Sequence, residues 1–250
     1  MNQFFSEIKK HLSTILISLA VIVAASVLGG AWNYRFRSQE TIVVTGLATE
    51  DFSSDYIVWS GSFSKKNIDL KEAYSGLKAD EDNIRKYFIG KGIPDSTLVF
   101  SSIAIDKQFE NIYDNQGNQT AQRFSGYELT QSVTIESEDL DKIEAVSRQV
   151  TELIQQGIEF NSEAPSYYYT SLSNLKIDLL AKAASDAQKR AETISDNSGG
   201  SLGELVKSSM GVFQITGYNL NEDYSYGGAF NTSSRYKTAS ITVRSEFRAN

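Results

Sequence analysis

Residues 12–34 carry no charged side chain, and 12–28 is dominated by aliphatic residues with no polar face. At about 1.5 Å rise per residue, roughly 20 such residues cross a hydrocarbon core of about 30 Å. The pattern predicts a membrane-spanning helix at 12–34, between a short cytoplasmic N-terminus at 1–11 and a linker at 35–40. Its alternative is a signal peptide cut after Ala31, with Gly29 and Ala31 as the small residues before the cut. The apolar stretch exceeds the roughly 7 to 15 residues usual for a signal sequence. Trp32 and Tyr34 stand where interfacial aromatics anchor a helix.

Further on the periodicity changes. Residues 41–45 form a β-branched run ended by Gly46, and 55–63 alternates with Ile57, Trp59 and Phe63 on one face, which predicts two neighbouring strands. Over 69–90, Leu70, Ala73, Leu77, Ile84 and Phe88 recur at helical spacing, with Asp69 as N-cap and Gly90 or Gly92 as stop. Residues 98–109 and 122–136 are β-rich and flank 111–118, whose Asn, Asp and Gly content is hairpin chemistry, so a long antiparallel ribbon is expected. A second amphipathic helix follows at 138–156, with Leu140, Ile143, Val146, Val150 and Leu153 on one face and Gly157 at its end.

Residues 158–170 read as another strand, and 172–196, rich in Ala, Leu, Lys and Glu, as the strongest helix, stopped by Gly199 and Gly200. Two final β runs are expected at 205–215 and 237–247, around a loop at 217–234 rich in Gly, Asn, Ser and Tyr. Pro94 and Pro165 fall where a missing amide donor is tolerated. The fold class is α+β: mainly antiparallel sheet covered by about three amphipathic helices, with one transmembrane helix ahead of a single domain at 41–250.

Composition narrows the function. The chain of 250 residues has a net charge of -7, spread along its length, which argues against phosphate backbones and anionic lipid headgroups as partners. Nucleic acid is therefore not expected. There is no cysteine, which removes disulfides, thiolate catalysis and thiolate metal sites. The single histidine, His11, lies against the membrane segment, so the soluble part has no histidine base.

Carboxylates remain: Asp80, Glu81 and Asp82; Glu136, Glu138 and Asp139; Glu222 and Asp223. They read as solvated helix faces, caps and turns, although a buried acidic pair with a raised pKa in a cleft would revive a carboxylate hydrolase. Residues 114–118 have oxygen ligands and a glycine but lack the spaced acids and closing Glu of a calcium loop, and read as a hairpin turn. The glycines at 199–203 follow a helix instead of opening one, so they form no phosphate cradle. No catalytic residue, cofactor or metal is expected; whether a small ligand binds stays open.

Tyrosine is enriched in interfaces. Tyr218, Tyr224, Tyr226 and Tyr236 read as contacts between subunits or with a partner; for Tyr168, core packing and surface contact are equally open. Lys9 and Lys10 before the anchor are nearly balanced by Arg35 and Arg37 after it, so the first-helix position and the large C-terminal mass decide for the N-terminus inside.

The stretches 41–46 (Thr-Ile-Val-Val-Thr-Gly), 126–135 (Gly-Tyr-Glu-Leu-Thr-Gln-Ser-Val-Thr-Ile), 139–142, the helix at 181–192 and the closing 239–243 occur in an order and spacing that resemble the SIMPL-domain family, the bacterial group related to a Brucella periplasmic antigen. The resemblance runs over about 41–247. The chain departs from it at 51–55, where a Pro-Asp pair is expected, and in the Tyr-rich insertion at 217–234. It implies a non-enzymatic envelope protein of α+β fold that assembles into a large ring or cage-like homo-oligomer, with some relatives associated with oxidative or envelope stress tolerance. The expected location is the bacterial inner membrane, single-pass, with a periplasmic C-terminal domain; the alternatives are secretion to the periplasm after cleavage and a monomeric binding module.

Overall fold

A computed structural model describes residues 2–37, 40–219 and 225–249. The apolar segment lies within one long helix, α1 (Asn2–Arg37), so the helix continues into the stretch expected as linker. Residues 14–32 are long and apolar enough to cross a membrane, and no part of that window is buried within the protein. Two hydroxyls inside it are satisfied by the preceding turn: Ser18 donates to the Thr14 carbonyl at 2.9 Å and Ser26 to the Ile22 carbonyl at 2.8 Å. Such back-bonding lowers the cost of a hydroxyl in an apolar medium.

The remaining elements run in the order β1 (Thr41–Ser53), β2 (Tyr56–Asn67), α2 (Leu70–Gly90), β3 (Leu98–Phe100), β4 (Ala104–Tyr113), β5 (Gln119–Ser137), α3 (Leu140–Gln149), β6 (Phe160–Ser162), β7 (Ser166–Tyr168), α4 (Leu172–Asn197), β8 (Leu202–Met210), β9 (Gln214–Gly217) and β10 (Tyr236–Ala249). The fold is α+β with antiparallel sheets. It gathers into two compact units, 1–48 with 177–212 and 241–250, and 49–176 with 213–240.

In the first unit the strands lie in the order β1-β10-β8, and α4 packs on one face. Val44, Ala187, Ala191 and Phe247 form its buried centre, with Ile42 and Leu202 against them. Gly46 does not end β1, as its sequence context suggests; the strand passes through it. A Cβ at Gly46 would fall on the Ala183 carbonyl oxygen and the Ala187 amide of α4, 2.9 Å from the Ala187 Cα. Gly46 and the alanines at 183, 187 and 191, four residues apart on one helix face, together let strand and helix backbones touch.

In the second unit β2 pairs antiparallel with β5 from Ile57↔Ser137 to Asn67↔Tyr127. β6 and β7 extend the sheet beyond β2, while β3 and β4 lie on the other side of β5. The inward residues Ile57, Trp59 and Phe63 of β2 and Leu129, Val133 and Ile135 of β5 meet Ala73, Leu77, Ile84 and Phe88 of α2 and Ile143 and Val146 of α3. Trp59 and Phe88 sit edge to face with centroids 5.7 Å apart, and the Trp59 indole N–H donates to the Ser162 hydroxyl and the Glu163 carbonyl, each at 3.1 Å. The outward face of the same two strands is hydroxylated: Ser60, Ser62 and Ser64 stand opposite Thr134, Ser132 and Thr130.

Several segments are shorter than the hydrophobic pattern predicts. The run at 98–109 divides into β3 and β4, and that at 158–170 into β6 and β7, with Pro165 just ahead of β7. The run at 205–215 likewise becomes β8 and β9, and the helix expected to 156 turns into a 3-10 segment at Val150–Gln156. The caps fall where expected: Asp69 accepts from the amides of Lys71 and Glu72, and Gly92, Gly157 and Gly199 take left-handed φ angles.

Candidate functional site

Of the acids offered by the sequence, Asp80 and Glu81 depart most from expectation. They are buried against the sheet instead of solvated. Lys65 pairs with Asp80 at 2.9 Å, and Glu81 takes Lys78 at 2.5 Å and Arg85 at 3.3 Å, while Arg85 reaches Asp95 at 2.6 Å. Burial pushes the Glu81 carboxyl up; the hydrogen bond from Lys78, aided by Gln131 and Arg85, outweighs it and holds the group below the usual carboxylate range. Both acids are fixed partners in a network of ion pairs on α2.

A polar cleft of about 510 Å³ is lined by Ser54, Asp55, Glu138, Asp139, Asp141 and Arg235. Asp55 accepts from the Thr170 amide at 2.8 Å and the Thr170 hydroxyl at 2.7 Å. Asp139 caps α3, and the Lys142 ammonium holds it below the ordinary range. Arg235 pairs with Asp141 at 2.5 Å and Glu144 at 3.4 Å. Three of the four lining carboxylates are thus taken up by Thr170, by the α3 cap and by the Arg235 ion pair. Glu136, outside the cleft, accepts from the Tyr56 hydroxyl at 2.8 Å. Among the described residues no group of three or more His, Cys, Asp or Glu is placed to hold a metal ion.

The turn after β4 is the hairpin expected of it. Asp114 accepts from the amides of Gln116 and Asn118, which lower its pKa, and Gly117 supplies the left-handed φ. The ribbon it closes is the feature that sequence reasoning undervalued. β4 (104–113) pairs with 119–130 of β5, and over 108–113 and 119–125 nearly every side chain on both faces is exposed. Ile105, Phe109, Ile112, Tyr113 and Phe124 are among the exposed large apolar residues, with Phe109 edge to face on Phe124 at 5.9 Å. A two-stranded ribbon is marginal alone in water.

Among the tyrosines, Tyr218 and Tyr236 come together: the Tyr218 amide donates to the Tyr236 carbonyl at 2.9 Å, both rings are exposed, and Arg235 lies 5.8 Å from the Tyr236 ring centroid. Tyr226 is fully exposed at a turn. Tyr168 is half-buried in β7, opposite Tyr56. Tyr224, Glu222 and Asp223 lie outside the described residues.

An α+β body with antiparallel sheets follows an apolar N-terminal helix that fits a membrane anchor or a signal sequence. The family model SIMPL, described as "Protein of unknown function (DUF541)", matches residues 42–249, and the chain belongs to that family. No curated protein matches it.

Proposed function

We propose that the chain is a non-enzymatic, single-pass protein of the bacterial inner membrane whose SIMPL domain lies in the periplasm and self-assembles into a large ring or cage-like homo-oligomer. The observation that carries this reading is the exposed β4–β5 ribbon, whose apolar and aromatic side chains cover a surface that a monomer leaves in water. The tyrosines at 218, 226 and 236 add contact chemistry of the same kind. Anchoring by α1 favours assembly, because copies fixed in one membrane meet at high effective concentration. The non-enzymatic part rests on the carboxylates, most of which are held in caps, turns and ion pairs. A tie to envelope or oxidative stress tolerance rests on the family resemblance.

The test is native mass spectrometry of the detergent-solubilised full-length protein, which reads stoichiometry and N-terminal processing together. A large uniform oligomer that retains residues 1–31 is expected. A monomer, or a chain beginning at Trp32, returns the reading to a periplasmic binding module, for which the polar cleft beside Arg235 is the place to look.

A further inference from the structure

The helix-covered core of the first unit reaches Leu202 at the start of β8 and stops short of the rest of that strand. In β8, Leu205 stands opposite Phe247 and Met210 opposite Val243. Phe247 and Val243 are 8% and 3% exposed, whereas Leu205 and Met210 are 55% and 62% exposed. Directly opposite residues of an antiparallel pair share a face. Two apolar side chains thus continue a core face past the reach of α4, on a strand whose outer edge is unpaired among the described residues.

At the opposite side of the same sheet the helix extends beyond the strands. The Leu47 amide points away from β10 and is taken by the Asp186 carboxylate of α4 at 2.9 Å. Strand periodicity puts the amides of Val43 and Thr45 on that same outer edge. Beside them runs a groove lined by Val43, Val44, Thr45, Lys189, Arg190, Thr193 and Ile194, with Ile194 exposed. An open strand edge beside an overhanging helix suits an added strand that has apolar side chains on the helix side.

We propose that copies of this chain join sheet to sheet, β8 of one copy adding to the free edge of β1 in the next, so that α4 of the second copy covers Leu205 and Met210 of the first. The inference rests on the self-assembly reading and adds a second contact surface to the ribbon. The lengths agree: β8 has 9 residues, and the part of β1 in this unit, 41–48, has about the same reach.

The anchor fixes the direction. β10 runs antiparallel to β8, and its contacts with β1, Ala249 to Glu40 at one end and Thr238 to Asp51 at the other, show it antiparallel to β1 as well. β1 and β8 therefore run the same way within one copy. Only residues 38–40 separate α1 from β1, a span of at most about 15 Å when extended, so every β1 starts close to the membrane. Joining two β8 edges by a two-fold across the sheet runs the strands antiparallel and sends two anchors in opposite directions. The β8-to-β1 contact is parallel, keeps all anchors on one side, and is heterologous, the contact type that generates a ring when its rotation closes.

The cysteine-free chain allows a direct test in the full-length protein in its membrane. Thr45→Cys and Ser209→Cys are combined in one chain, with Val43→Cys and Lys207→Cys substituted in turn to scan the register, and oxidised. Within one copy these positions lie two strand spacings apart, roughly 10 Å, too far for a disulfide. A ladder of covalent multimers from a double variant, with each single variant remaining monomeric on a non-reducing gel, is the expected result. Dimers from a single β8 variant overturn the proposal in favour of two-fold pairing. A uniform oligomer by native mass with no ladder at any of the four pairings overturns it while leaving self-assembly standing, and a monomer by native mass removes both.

Discussion

Replacing Gly46 by alanine tests whether the first unit is built on backbone contact between β1 and α4. The new methyl would lie 2.9 Å from the Ala187 Cα and closer still to the Ala183 carbonyl oxygen and Ala187 amide. Carbon atoms in contact sit about 3.5–4.0 Å apart, so strand and helix must separate by at least about 0.6 Å, and by more at the amide. Neither obstacle is a side chain that can rotate aside. A gap of about 0.5–1 Å forfeits roughly a quarter to a half of a van der Waals well, and that loss falls on Val44, Ala187, Ala191 and Phe247, the centre of this core. Overpacking costs about 1–3 kcal/mol, and rigid backbone on both sides places Gly46→Ala near the upper end. At about 2–4 °C per kcal/mol for a protein of this size, Tm falls by about 6–12 °C. The control is Gly90→Ala, where no atom lies within 4 Å of the added methyl, and where a change of about 0.4–1 kcal/mol toward greater stability is expected. Thermal melts of the full-length variants in detergent, followed by far-UV circular dichroism, decide it. A Gly46→Ala melt that coincides with the parent or with Gly90→Ala refutes the close-contact argument.

Four further outcomes concern the second unit. Because Glu81 titrates below its ordinary value when folded, its ion pairs stabilise the protein fully above the unfolded carboxylate pKa of about 4.3 and are lost as pH falls through the lower folded value; urea midpoints between pH 7 and pH 3 should drop along this limb, and Glu81→Gln should flatten it. Phe88→Ala empties the fully buried site beneath Trp59 and should cost about 3–5 kcal/mol, read as a lower urea midpoint with a blue-shifted Trp59 emission lost. Asp69→Ala removes the acceptor for two helix amides and should cost about 1 kcal/mol, whereas Tyr226→Ala, at a fully exposed turn, should stay within about 0.5 kcal/mol in the same assay.

Where one residue's neighbours along the chain decide its conformation, the sequence was readable. Asp69 and Gly92 bracket α2, Asp114 and Gly117 close the ribbon, and Ile57, Trp59 and Phe63 alternate into the core, each by a local rule of capping, turn geometry or strand period. What the sequence concealed depends on partners distant in the chain. Gly46 looks like a strand stop because glycine usually interrupts strands; only α4, more than a hundred residues later, explains why the strand needs a glycine there. Asp80 and Glu81 look solvated because charged residues usually are, and Lys65, one element earlier, is what makes burial of Asp80 tolerable. Prolonged β-rich runs such as 98–109 and 158–170 gave no sign of their breaks, since hydrophobic pattern measures burial and not which strand accepts each amide.

The same limit explains why strand edges and Tyr-bearing loops are expected contact surfaces from the sequence, while which edges stay open is not. A Tyr-rich loop is visible as composition, but exposure of Leu205 and Met210 is a property of where α4 ends over a sheet whose order β1-β10-β8 departs from chain order. In chain order α4 immediately precedes β8, and adjacency along the chain suggests that the helix covers it. Instead β10 takes the central place, α4 covers β1 and β10, and the strand nearest in sequence is left at the rim. The first unit therefore carries opposite defects at its two sides: apolar side chains without a helix at β8, and a helix overhanging an open edge at β1. A translation of one copy along the sheet brings each defect onto the other, which is the geometric requirement for a head-to-tail contact and makes a disulfide between these two strands its direct signature.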